Sequence, residues 1–377
     1  MHTASGQGAH MIVKNGHITF EASRGYRATQ QHFQSLVLTY DPRLIADMLQ
    51  QTPHHVDALL AYYDFLVSSE QNQEAYACLR RALFVLESWL SPAFKDALGT
   101  ASCKFAPFAL KPDALRDDWG EDAGLNGALI RALTLAMRLA GRRDCYEAAL
   151  ALNKLVVSLD PLSDPSFSCL ALDYYALRAG QARWLVDNRK IANWDPAVLP
   201  NAAFGRALAL FVLDERARAD DECRAAVRRW SGYVVELNLG GFDVVLPWLN
   251  KHRIKDTVAD RLVRVAAMRH ANLWKDPRRV AWLLDNVKAV ASSGALSDFP
   301  AHAAAVQQFY ALAVLSDFND VVAIIPRDEA PAVAAAEQVA PVAQDHGTVA
   351  RLIEFLAGVL MPVNHTAAAE EDDDDAD

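Results

Sequence analysis

Hydrophobic positions recur at three- and four-residue spacing along most of this chain, the period of a helix with one buried side. In CYEAALALNKLVVSLDP, residues 145–161, Tyr146, Ala149, Leu152 and Val156 share a face, and Leu155 and Leu159 extend it. Ala148 and Ala149 are small, so a neighbouring helix can approach closely. Asp160-Pro161 stops the helix, because proline lacks an N–H and disfavours α geometry in the residue before it. The same grammar runs earlier in the chain. Tyr26, Gln30, Phe33, Leu36 and Val37 precede Asp41-Pro42, and a short helix over 43–51 precedes Thr52-Pro53. Helices follow over 55–68 and 71–90; in the second, Tyr76, Leu79, Leu83, Leu86 and Leu90 form the stripe before Ser91-Pro92. Helix, helix, proline at a spacing near ~34 residues is the pattern of a tetratricopeptide-like solenoid.

Residues 94–122 break the pattern with Gly99, Pro107, Pro112 and Gly120, and read as a long ordered connection. Helices are predicted again over 125–140, 144–159, 166–179, 181–191, 201–213, 216–230, 257–273, 277–292 and 301–316. Gly240-Gly241 and Pro247 make 231–255 an irregular join. The helices flanking Lys275-Asp276-Pro277 are expected to pack antiparallel, since their connection is short. Residues 1–19 read as a flexible lead-in, although Ile12-Val13 and Ile18-Thr19-Phe20 flank the hairpin turn signal Asn15-Gly16. The organisation is thus a lead-in (1–19), a helical-repeat domain (20–325), a linker with a last helix (326–361) and a disordered acidic tail (362–377). The fold class is all-α: a tetratricopeptide-like helical-repeat solenoid with irregular joins, disordered ends and essentially no sheet.

Composition adds little that points to chemistry. The chain has 377 residues, 52% of them hydrophobic, enough for a large core. Its formal charge is −10, but seven of the 47 acids lie between Glu370 and Asp377, leaving 40 against 37 bases. The five cysteines are scattered without C-x-x-C spacing, so neither a zinc site nor a disulfide framework is implied. The opening MHTASGQGAH has no apolar signal region, and no apolar run approaches the ~18 residues of a membrane span. H-E-x-x-H, G-x-S-x-G, the P-loop and the dinucleotide fingerprint are all missing, so the reading is a non-enzyme with no cofactor, metal or small-molecule substrate. His54-His55 cannot easily share a metal from adjacent helical positions and reads as capping or packing. Candidate partner contacts are the basic pairs Arg142-Arg143 and Arg228-Arg229, whose guanidinium forks suit phosphate or carboxylate, and Trp274 with Lys275 at a helix corner. Trp274 also reads as a buried corner residue, and that reading is preferred.

Several strings together resemble one family. PHHVDALLAYYD (53–64), QNQEAYACLRRALFVLESWLSPAF (71–94), YEAALALNKLVVSLDPLSDP (146–165), LDYYALRAG (172–180), LPNAAFGRALALFVL (199–213) and ANLWKDPRRVAWLLDNV (271–287) occur in the order seen in vertebrate transcription factor 25 and fungal ribosome quality control complex subunit 1. LPNAAF and LWKDP are the least generic. The resemblance implies an all-helical, non-enzymatic adaptor at the large ribosomal subunit. Its implied partners are a Listerin-type ubiquitin ligase, ubiquitin, the nascent-chain-marking subunit and an AAA segregase, in the cytoplasm. The older family name implies a nuclear transcriptional repressor as the alternative. Family members usually carry a Lys-rich region ahead of the domain, whereas this chain is expected to start almost at the domain.

Overall fold

The chain enters the fold through a β-hairpin. β1 (Ala9–Lys14) pairs antiparallel with β2 (His17–Ala22), Met11 opposite Phe20 and Ile12 opposite Thr19. In this computed structural model the described residues are 8–14, 17–92, 94, 104–105, 124–159, 164, 166–188, 191, 193–253, 257–294, 299–300 and 303–310. A two-residue β3 (Lys104–Phe105) adds to β2 in parallel, making a small three-stranded sheet. Within the expected lead-in, the strands that Ile12-Val13 and Ile18-Thr19-Phe20 suggested are present over 9–14 and 17–22. Met11, Ile18 and Phe20 are buried, and the strands lie on the helices Asn72–Trp89 and Gly124–Arg142, where Phe20 meets Trp89 edge to face.

The rest is helical, as the spacing predicts. α1 (Arg24–Val37) starts at Ser23, whose side chain accepts from the Tyr26 N–H, and α2 (Pro42–Gln51) starts at Asp41, which caps Arg43. α3 (Val56–Ser68) and α4 (Asn72–Trp89) form the first full hairpin; α5 (Gly124–Arg142) and α6 (Tyr146–Leu159) form the second. Two shorter helices, α7 (Leu172–Arg178) and α8 (Ala182–Asp187), form the third, and α9 (Pro200–Val212) and α10 (Arg216–Arg229) the fourth. His55 begins α3: its Nδ1 accepts from the Ala58 N–H at 3.2 Å and its ring stacks on Tyr26 at 4.8 Å.

All four hairpins turn identically. Each turn has three residues, the middle one left-handed: Glu70 (φ 60), Asp144 (φ 58), Gly180 (φ 72) and Asp214 (φ 62). Each is closed by an N–H bonding back five residues: Gln71 to Leu66 (2.8 Å), Cys145 to Ala140 (2.9 Å), Gln181 to Ala176 (2.8 Å) and Glu215 to Leu210 (3.0 Å). This is the Schellman closure of a helix end. Asp144, Gly180 and Asp214 lie 36 and 34 positions apart, which places the solenoid period in the backbone itself. Five residues after each left-handed position a buried residue enters the core: Ala75, Ala149, Leu185 and Ala219.

The joins depart from expectation in three places. Residues 166–171 are not helical. The Asp164 carboxylate takes the N–H groups of Ser168 and Cys169, both at 2.9 Å, and Phe167 is left-handed (φ 56), so only a 3-10 turn (Ser168–Leu170) precedes α7. α8 ends at Asp187, well short of 191, and the chain crosses to an isolated bridge between Ile191 and Trp194. The join after α10 contains two short helices, α11 (Ser231–Leu237) and α12 (Leu246–His252), separated by left-handed Asn238 and Gly241.

α13 (Thr257–His270) continues as a 3-10 turn (Ala271–Trp274) before α14 (Pro277–Ser293), and α15 (Ala303–Tyr310) is the last described element. The helices flanking the corner were expected to pair with each other. Instead α13 lies on α9 and α11, while α14 lies on α10. The four-residue 3-10 turn lengthens the connection, so each helix finds its own partner in the fourth hairpin region. The last expected helix and the acidic tail lie outside the described residues.

Candidate functional site

The six candidate contact residues fall on three separate elements. Arg142 and Arg143 are exposed at the α5–α6 turn, where Arg143 lays its guanidinium 4.5 Å from the Tyr76 ring of the preceding hairpin. The next turn repeats this contact: Arg178 sits 4.3 Å from the Tyr146 ring and donates to its hydroxyl at 2.9 Å. Part of the basic edge is therefore spent on joining repeats. Arg228 and Arg229 are half-buried at the end of α10; burial draws the Arg229 guanidinium below its usual range, and Asp195 opposes this. Lys275 is exposed at the corner. Trp274 is only 2% exposed, so the structure assigns it to the core and not to a partner-facing surface.

Trp274 leads into a buried polar cluster that sequence reasoning missed. Its indole N–H donates to the Tyr233 hydroxyl at 2.9 Å, and Tyr233 Oη shares a 2.8 Å hydrogen bond with His270 Nδ1. The other ring nitrogen, Nε2, stands 2.6 Å from Asp173 Oδ2, an ion-pair approach. Asp173 Oδ1 accepts from Asn201 Nδ2 at 2.6 Å and from the Trp194 indole at 3.3 Å. Phe204 covers the Tyr233 ring face to face, with centroids 3.8 Å apart. Asp173 begins α7, Asn201 and Phe204 begin α9, and His270 ends α13, so the cluster ties three helices and the corner together. Gly205 is required beside it: a Cβ there would stand 2.3 Å from Asp173 Oδ2.

The electrostatics follow from this geometry. Burial pushes the Asp173 carboxyl upward, but the charge of His270 and hydrogen bonds from His270, Asn201 and Trp194 outweigh it and hold the group below the usual carboxylate range. A Tyr–His–Asp arrangement has the outline of an acid–base relay. Here its members are 0%, 1% and 0% exposed, so no solute reaches them, and the arrangement acts as a structural lock. A second cluster holds the neighbouring loop: Asp164 accepts from Tyr310 Oη at 2.8 Å, and burial raises its carboxyl. Among the described residues, no group of three His, Cys, Asp or Glu side chains is placed to hold a metal, and no helix is long and apolar enough to cross a membrane.

The lock draws on the strings LDYYALRAG (Asp173), LPNAAF (Asn201, Phe204) and ANLWKDP (Trp274). The only sequence signal for it was polar residues standing on otherwise apolar faces.

A sequence profile described as "Transcriptional repressor TCF25" matches residues 18–341. The human "Ribosome quality control complex subunit TCF25" is 28% identical over 344 residues, covering 82% of this chain and 48% of its own length. "Probable transcription factor claV" of Ampulloclitocybe clavipes is 28% identical over 307 residues, covering 73% of this chain and 37% of its own. "Ribosome quality control complex subunit 1" of Schizosaccharomyces pombe is 23% identical over 268 residues, covering 69% and 38%. The chain thus spans half or less of the length of these relatives. No solved structure matches it.

Proposed function

Because the chain belongs to the family of the transcriptional repressor TCF25, we propose that it is a non-enzymatic adaptor of ribosome quality control. It acts at the large ribosomal subunit, in ubiquitin-dependent clearance of stalled nascent chains. The observation that carries this reading is the name shared by the human and fission-yeast relatives. A repeat scaffold whose polar cluster is sealed from solvent suits a binding role. The partners are a Listerin-type ubiquitin ligase, ubiquitin, an AAA segregase and the large subunit itself, met in the cytoplasm. Exposed Arg142, Arg143 and Lys275 are the first residues to test as contacts, with half-buried Arg228 and Arg229 next.

The name of the claV relative and the family description favour a second reading, a nuclear transcriptional repressor. Affinity purification from the source cell separates the two. Large-subunit proteins with a RING ligase support the adaptor. Chromatin proteins in their place support the repressor and overturn the first reading.

A further inference from the structure

The exposed positions of α13 carry cations, and the one acid of the helix, Asp260, is engaged by Arg253 from outside it. Arg261, Arg264 and Met268 are its exposed positions among residues 258–270, at i, i+3 and i+7, and so form one stripe. Met268 is 59% exposed. Two carboxylates lie near, and Arg253 occupies both: it is 2.8 Å from Glu236 and 2.9 Å from Asp260. Arg264 reaches the same Glu236 only at 3.6 Å, with its side chain 62% exposed. Arg261 has no ion pair among the described residues. Exposed Lys251 lies two residues before Arg253 in the chain, and exposed Lys275 five residues past the end of α13. Three arginines, Arg253, Arg261 and Arg264, therefore share two carboxylates.

The chain carries a matching ligand. Residues 370–377 hold seven carboxylates: Glu370, Glu371, Asp372, Asp373, Asp374, Asp375 and Asp377. The described fold ends at Tyr310 on α15, which packs against α13 itself. The roughly 60 residues from Tyr310 to Glu370 reach about 45 Å even as a random coil, enough to return to the stripe. Tethering gives the tail a standing local concentration that a free peptide lacks. The geometry points to an intramolecular docking site: the acidic segment 370–377 lies on the α13 stripe at Arg261 and Arg264, with Lys251 and Lys275 on either side of it in the chain. The contact is electrostatic, since Arg261 and Arg264 present guanidinium forks suited to carboxylates. Docked, the tail screens this surface from other anionic partners, and salt or a stronger anion releases it.

Carbodiimide cross-linking of the full chain, read by mass spectrometry, tests this directly. Lys251 and Lys275 should link to residues 370–377 about five-fold more than Lys288, an exposed lysine on α14. The double variant Arg261→Glu/Arg264→Glu should remove that preference while leaving the melting temperature unchanged, because both side chains are exposed. Adding salt to about 0.5 M should remove it as well. Equal links to all exposed lysines, or a preference that survives the double variant, overturns the proposal. Links found only between isotopically distinct copies overturn it in favour of a second copy. A tail that links nowhere, with a stripe that retains inorganic polyphosphate, overturns it in favour of a phosphate-bearing partner.

Discussion

Asp173 and His270 stand 97 positions apart in the chain, yet their side chains approach to 2.6 Å in a fully buried site. The pair sits where α7, α9 and α13 meet. Removing one partner strands the other, with Asn201 and Trp194 losing their acceptor too. Asp173→Ala should therefore cost about 3–5 kcal/mol, the range for breaking a buried pair. Urea unfolding followed by circular dichroism gives the value, and a loss under 1 kcal/mol would refute the lock.

The same carboxylate has a pH signature. Its folded pKa lies below its ordinary value, so its contribution is present above the unfolded pKa and is lost as pH falls through the folded one. The acid limb of the melting-temperature profile should be steeper in the wild type than in Asp173→Asn, which cannot titrate. Parallel acid limbs would count against an ionised Asp173.

At the corner, Tyr233→Phe deletes one hydroxyl and leaves the Trp274 N–H and His270 Nδ1 without their partner. The expected cost is about 1–3 kcal/mol, that of unsatisfied buried polar groups. Trp274→Ala should cost more, about 3–5 kcal/mol, because it also opens a large cavity. Thermal melts of both variants check the order. Equal losses would mean that the indole contributes only its hydrogen bond.

Asp57 behaves oppositely to Asp173. Burial pushes its carboxyl up to about 7, against the pull of Arg131 and a hydrogen bond from Gln30. Its contribution is therefore present below the ordinary aspartate pKa and lost as pH rises through about 7. Asp57→Asn, neutral throughout, should be more stable than wild type above pH 7 by roughly 2–4 kcal/mol, the gap closing toward acid. Melts across that range test it; a gap that widens toward acid would reverse the assignment.

The repeated turn makes a paired prediction. Gly180 has φ 72 with open space around the missing Cβ, so Gly180→Ala should cost about 1–2 kcal/mol from backbone strain alone. Glu70 holds the same conformation with a side chain, and Glu70→Gly should gain up to about 1 kcal/mol. Two changes of the same sign in denaturant midpoints would contradict a shared turn geometry.

The sequence by itself determined what depends on near neighbours. Helical spacing, the caps at Asp41 and Asp276, and the family strings are written within a few residues of one another, because helix hydrogen bonds and side-chain faces are local. The four turns were legible in principle, but only Gly180 carries a glycine; Glu70, Asp144 and Asp214 adopt the left-handed state without that marker. Tertiary structure alone decided the rest. Residues 166–171 have a helical pattern, yet Asp164 takes two of their N–H groups, and Tyr310, 146 positions away, donates to that same carboxylate. Trp274 read as core in preference to anchor, but the sequence did not show that Tyr233 supplies the oxygen its N–H needs. A buried polar group is fixed by a partner distant in sequence, and periodicity carries no record of which partner that is.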